Sequence, residues 1–267
     1  MIMDLRDICR NVEMIAAETA AFIMKESEGF DMKMAMTKGL HDFVSYVDTE
    51  AEKMLVEKLG DLLPEAGFIA EEGTSAKKGP RYCWIVDPLD GTTNFLHKLH
   101  PFAISIALSD YDEVIAGVVF EAGGKETFTA WKNGGAWLNG KRINVSAAPD
   151  ISNSLIATGF PYKDFSRLGN YLLCLEHLIR NSQGVRRMGS ASIDLAYLAC
   201  GRFEGFFEYG LNRWDVAAGT ILIREAGGIV SDFKGEINNI TGTEIIASNN
   251  LVYNEFLEIV SKFMVKR

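Results

Sequence analysis

The chain holds no Cys-x-x-Cys pair, and none of its four cysteines, Cys9, Cys83, Cys174 and Cys200, stands at metal-ligand spacing from a histidine. Cys83 sits in an apolar strand and Cys200 closes an apolar helical run, so both read as small core residues of a reducing compartment. His41, His97, His100 and His177 form no ligand spacing either. No Walker loop or dinucleotide fingerprint is present; "GGKETF" and "KNGGAWLNG" read as hairpin turns. Ser105, Ser146 and Ser190 lack a nucleophile-elbow motif. Positive charge is short: 27 Lys and Arg against 36 Asp and Glu give a net charge of −9. That argues against a nonspecific grip on nucleic acid or an anionic membrane while leaving room for a local basic patch, and cations bound at a site can reverse its local sign. No stretch reaches the roughly 18 apolar residues of a membrane span. The first residues carry Asp4 and Asp7 where a signal peptide needs basic charge, so a cytoplasmic protein is expected.

What is present suffices for a substantial core, with 48% hydrophobic residues in a chain of 267. Residues 4–27 repeat apolar positions at helical spacing, with Gly29 as the expected stop, and a second helix spans 47–60 with Gly60 at its end. From 66 to 145 the pattern is a succession of strands separated by turn glycines, which predicts an antiparallel sheet. Beyond Pro149, strand and helix alternate: "SLIATGF", a helix over 165–181, "SASIDLAYLACG", "FEGFFEY", "WDVAAGTILIREAGG" and "EIIASN". The expected organisation is an N-terminal α+β domain over 1–147 and a C-terminal α/β domain over 148–267.

The stretch "WIVDPLDGTTNF" is the most unusual in the chain. Tyr82 to Val86 is aromatic and β-branched and reads as a buried strand, which Pro88 is expected to end. Gly91 permits a tight turn, and Thr92, Thr93 and Asn94 can start a helix. Asp87 and Asp90 then stand together at the open end of a strand, where they either keep protons or hold a cation. Acids recur at other element ends: Asp42 and Asp48 in "DFVSYVD", Glu71 and Glu72 in "IAEEG", and Asp215 in "WD". Each has an ordinary reading alone. An Asp at a helix start is commonly a cap, and Glu-Glu-Gly is commonly a solvated turn. Together they suit hard divalent cations, two of which about 3.5–4 Å apart can clamp the attacking and leaving oxygens of a phosphoryl transfer. Thr92 can offer a hydroxyl to an attacking water, and the amides of Gly91 and Thr92 can meet phosphate oxygens.

"DPLDGTTNF", with "EE" upstream and "WD" far downstream, resembles the inositol monophosphatase family of Mg²⁺-dependent, lithium-sensitive phosphatases. The similarity runs through "KGLHDFVSYVD", "ATGFP" and "RRMGSASIDLAYLACGRFEGFFEYGLNRWD", closest to the bacterial branch. The resemblance implies an α/β fold layered as an αβαβα sandwich, and a homodimer. It implies two or three Mg²⁺ ions, with Mn²⁺ as a substitute, bound by Glu71, Asp87, the Leu89 carbonyl, Asp90 and Asp215. Asp48, Thr92 and Glu71 would be catalytic, with Thr92 and Asp48 orienting the nucleophilic water. Gly91 and Thr92 would contact phosphate. Gly189, Ser190, Ala191 and Glu208 would bind the alcohol, with Ser190 standing where many members have threonine. The implied substrate is inositol 1-phosphate, or by the same chemistry fructose 1,6-bisphosphate, histidinol phosphate, NADP or a 3′-phosphonucleotide. A regulatory protein that binds a partner through the same fold is the reading of another class.

Overall fold

A computed structural model describes residues 3–30, 36–39, 42–237 and 241–265, with only the backbone at 36–39 and 42–44. His41 lies outside the described residues, and Asp42 is placed only as the first residue of a strand. Asp4 caps α1 (Leu5–Gly29) by accepting from the amides of Arg6 and Asp7. A short ribbon, β1 (Met36–Gly39) and β2 (Asp42–Val44), precedes α2 (Tyr46–Leu62). Gly60 lies inside α2 rather than at its end; the helix continues to Leu62 because Leu59 and Leu63 are still buried there.

The N-terminal sheet has the order β3-β4-β5-β6-β7-β8-β9. Its strands are β3 (Gly67–Ala70), β4 (Tyr82–Asp90), β5 (Ala103–Asp110), β6 (Glu113–Glu121), β7 (Glu126–Trp131), β8 (Gly135–Leu138) and β9 (Lys141–Ile143), with the short helix α3 (Thr92–Leu96) between β4 and β5. Successive hairpins make it antiparallel except at one edge, where β3 runs parallel to β4. An all-antiparallel sheet was the expectation, and this edge corrects it. The loop over 71–81 carries the chain back to the start of β4, so both strands point the same way. The parallel register pairs Ala70 with Val86 and so delivers Glu71 beside Asp87.

After β9 come β10 (Leu155–Thr158), α4 (Leu168–Asn181), β11 (Gly184–Arg186), α5 (Ala191–Ala199), β12 (Gly205–Tyr209), α6 (Arg213–Glu225), β13 (Ile229–Ser231), β14 (Glu244–Ser248) and α7 (Tyr253–Met264). The second sheet has the order β11-β10-β12-β14-β13, parallel on one side and antiparallel on the other.

Strand alternation assigns the layers. Trp84, Val86, Ile104, Ile106 and Val118 pack with α1 and α2, whereas Ile85, Ala103, Ala107 and Val119 face α5 and α6. In the second sheet Phe206, Ile245 and Ala247 also face α5 and α6, while Phe207, Ile246 and Tyr209 pack with α4 and α7. The result is an αβαβα sandwich. Gly117 has no side chain because α6 passes over it, and a Cβ there would press on Ile221 and Ala218. Among the described residues no helix is long and apolar enough to cross a membrane.

Candidate active site

The site lies where the end of β4 meets the starts of α2, α5 and α6. Contrary to the expectation that Pro88 stops the strand, β4 runs to Asp90 through an irregularity: Asp87 pairs with Ser105 and Asp90 with Ala103. One extra residue on β4 is accommodated there, and proline tolerates such a bulge because no ladder donor is needed. The bulge also settles the geometry. Residues three apart on a regular strand point to opposite faces, and one inserted residue brings Asp87 and Asp90 to the same cavity. Gly91 then adopts a left-handed conformation (φ 92°) and turns the chain into α3.

Four aspartates around this bulge have one oxygen held by a local donor. Asp48, in the first turn of α2, accepts on Oδ2 from the Ser45 amide at 2.8 Å and the Ser45 hydroxyl at 2.6 Å. Its Oδ1 lies 3.1 Å from Thr92 Oγ1, which is also 3.0 Å from the Leu89 carbonyl oxygen. Asp215 repeats the arrangement in α6, accepting from the Asn212 amide at 2.6 Å on Oδ2. The cap reading of these two acids is met on Oδ2, which leaves Asp48 Oδ1 to Thr92 and Asp215 at the cavity wall. Asp87 accepts from the Leu89 amide at 2.9 Å on Oδ1. Asp90 gathers three donors on Oδ2: Ser190 Oγ at 2.7 Å, the Ser192 amide at 2.7 Å and Ser192 Oγ at 2.6 Å.

Glu71 is anchored through its neighbours. Its amide donates to the Val86 carbonyl at 3.2 Å. The buried Glu52, one turn after Asp48 on α2, accepts from the Glu72 amide at 2.6 Å and from the Thr74 amide and hydroxyl, both at 2.7 Å.

The acids crowd one another. Asp87 is pushed well above the usual carboxylate range, first by burial and then by Glu71, Asp90 and Asp215. Burial and Asp90 raise Asp215 to about 7. Asp90 and Asp48 are also raised by burial, with their hydroxyl and amide donors acting against the shift. Glu71, Asp90 and Asp215 stand close enough to Asp87 for their charges to add to the effect of burial, a repulsion that bound cations would offset. Among the described residues no three His, Cys, Asp or Glu side chains stand in ready metal-ligand geometry. The donor set, carboxylates with a carbonyl and a hydroxyl nearby, fits a hard divalent ion.

The cavity has a volume of about 300 Å³. It brings together Glu71, Asp87, Leu89, Asp90, Gly91, Thr92, Gly189, Ser190, Ala191, Glu208 and Asp215, every expected site residue except Asp48. Asp48 sits behind Thr92. His97 and His100 do not line it. Glu208 is 7% exposed, on the face of β12 that looks between the sheets. Burial, then Asp215, pushes it up to about 8. Gly159 leaves room for Glu208: a methyl group there would displace the Glu208 carboxylate from its present position. Sequence reasoning missed Tyr162, Arg187 and Asp194 in the wall. Asp194 had a signal: it is the one charged residue in α5.

This arrangement matches a known one. Residues 6–263 match the profile of the inositol monophosphatase family. The chain belongs to the inositol monophosphatase family. It is 44% identical over 226 residues to an inositol-1-monophosphatase of Rhizobium meliloti, covering 84% of this chain and 85% of that one. A protein named Nus factor SuhB from Pseudomonas aeruginosa is 39% identical over 256 residues, covering 94% of both chains. The crystal structure of the extragenic suppressor protein suhB from Bartonella henselae superposes with a TM-score of 0.90 at 36% identity, covering 96% of this chain and 99% of that one. Inositol monophosphatase family proteins are metal-dependent phosphomonoesterases, and the chain is a member of that enzyme class by family and fold.

Proposed function

We propose that the chain is a Mg²⁺-dependent phosphomonoesterase that hydrolyses inositol 1-phosphate to inositol and phosphate. One observation carries the reading. Six carboxylates line the cavity (Glu71, Asp87, Asp90, Asp194, Glu208 and Asp215) and a single guanidinium, Arg187, faces them among the described residues. A phosphate monoester, itself an anion, enters such a wall only if cations accompany it.

Glu71, Asp87, the Leu89 carbonyl, Asp90 and Asp215 are the residues assigned to two or three Mg²⁺ ions, with Mn²⁺ as an alternative. Bound there, the ions would supply positive charge for the phosphate and lower the pKa of a water. The remaining work belongs to the chain. Thr92 Oγ1 accepts a proton from the attacking water as its own proton passes to Asp48 Oδ1, a transfer supported by their 3.1 Å separation. Burial raises the proton affinity of Asp48, which suits that role. The amides of Gly91 and Thr92 donate to phosphate oxygens. Gly189, Ser190 and Ala191 border the alcohol, and Glu208 accepts from its hydroxyls.

Phosphate release from inositol 1-phosphate with Mg²⁺, after chelation, and with added Li⁺ tests the proposal. Activity should need Mg²⁺ and fall with Li⁺, which resembles Mg²⁺ in size but carries half its charge. Full turnover in the chelated enzyme would remove the metal assignment. Fructose 1,6-bisphosphate, histidinol phosphate, NADP and a 3′-phosphonucleotide belong in the same assay. The name Nus factor SuhB on a relative of nearly equal similarity favours one further reading, a partner-binding role on the same fold. A partner retained by the Asp87→Asn protein would support it.

A further inference from the structure

Asp194 differs from the aspartates of the bulge. It lies one turn into α5, its amide bonded at 3.0 Å to the carbonyl of Ser190, whose hydroxyl holds Asp90. It is 1% exposed, and the neighbouring Ser192, Ile193, Leu195 and Ala196 are fully buried. Its Oδ1 has no hydrogen-bond partner among the described residues, although the side chain lines the cavity. A carboxylate oxygen buried without a donor costs stability that an apolar residue in the same helix would not. Among the described residues no hydrogen bond to the Glu208 carboxylate is seen either, and burial and neighbouring charge act on it. The two acids come from different layers, Asp194 from α5 and Glu208 from β12, where it lies over Gly159. Arg187, over the Phe160 ring at 5.8 Å, reaches both with its field.

Among the described residues no hydrogen bond reaches Asp194 Oδ1 or the Glu208 carboxylate, and the hydroxyls of a bound alcohol are donors that could serve both. We infer that Asp194 is a second specificity residue, accepting a hydrogen bond from a different hydroxyl of the leaving alcohol than the one Glu208 accepts. The pocket therefore selects alcohols with at least two hydroxyls besides the ester oxygen. This rests on the phosphatase reading above and names its substrate class more narrowly.

The test uses the Mg²⁺-loaded full chain with inositol 1-phosphate, its mono-deoxy analogues and p-nitrophenyl phosphate, an aryl ester without hydroxyls. Asp194→Asn keeps the shape and removes the charge. The ratio of kcat/KM for inositol 1-phosphate over the aryl ester should fall ~10–100-fold, chiefly through KM. A merely structural role would lower both substrates together and leave the ratio unmoved, and that result would overturn the inference. Wild-type enzyme provides a measurement independent of the variant's folding. At least two of the mono-deoxy analogues should lose ~10-fold or more, and Asp194→Asn should be indifferent to one of those deletions. Sensitivity to a single hydroxyl in the wild type would sink the proposal. Failure of the parent reading looks different: wild-type enzyme would then cleave the aryl ester and no polyol phosphate.

Discussion

At the β4 end of the cavity, Asp48, Asp87, Asp90 and Asp215 each give one oxygen to an amide or hydroxyl of the protein. At the α5 and β12 end, no such donor reaches Asp194 Oδ1 or Glu208 among the described residues. The first group has its orientation limited by protein donors before anything binds. The second group is left to be satisfied by whatever enters. Buried acids of one sign in one cavity therefore differ in whether the protein itself supplies their donors.

The comparison can be broken most directly at Asp87. Asp87→Asn should cut kcat/KM by ~10³-fold or more on polyol and aryl phosphates alike, because it removes charge stabilisation both require. Near-normal turnover at saturating Mg²⁺ would place Asp87 outside the metal site. Glu208→Gln should act selectively, lowering the inositol 1-phosphate to aryl ratio by ~10–100-fold as a charge-assisted bond becomes a neutral one. An equal loss on both substrates would erase the distinction between the two ends.

A gentler change probes the support beneath Glu71. Glu52→Gln weakens the clasp on the amides of residues 72 and 74, so half-saturation by Mg²⁺ should rise ~10-fold with kcat kept at high Mg²⁺. An unaltered Mg²⁺ titration would show that the loop needs no such support.

The smallest effect is on stability against pH. Burial and neighbouring acids push Asp215 up to about 7 and Glu208 up to about 8 in the fold, above the usual range for unfolded carboxylates. Between the unfolded and folded values the native state binds more protons, so stability of the metal-free protein declines as pH rises. It should be greatest near pH 4 and decline until about pH 8, with Mg²⁺ reversing the loss at the alkaline end. Thermal melts of chelated protein across that window check the sign. A melting temperature rising with pH would contradict it.

Much of this was legible in the chain. Hydrophobic period gave α1, α2, α4 and α6, and the buried run over 82–86 gave the core of β4. The gathering of Glu71, Asp87, Asp90, Thr92, Glu208 and Asp215 followed from motif resemblance, and the cavity contains them all. The bulge at Pro88 was not legible, because proline punctuates strands and the exception depends on pairing with β5. The parallel edge strand β3 was hidden because direction follows from where a loop returns, a tertiary fact. The helix α7 was overlooked although Tyr253, Phe256, Val260 and Met264 repeat at helical spacing and are buried. Asp194 was passed over inside an apolar helix, where a lone acid is a tertiary signal written in sequence.

The helix α2 bears on two loops at once. Asp48 touches Thr92 after β4, and Glu52, four positions on, grips the segment after β3. One helical turn is about 5.4 Å, so α2 acts as a gauge that fixes the offset between two segments arriving from separate strands. Deleting one residue between Asp48 and Glu52 would rotate one contact about 100° away from the other, given 3.6 residues per turn. Alanine substitutions at Thr49 or Glu50, which leave the phase untouched, would keep both loops in register. The spacing of these two acids is thus a length standard, and its tolerance is less than one residue.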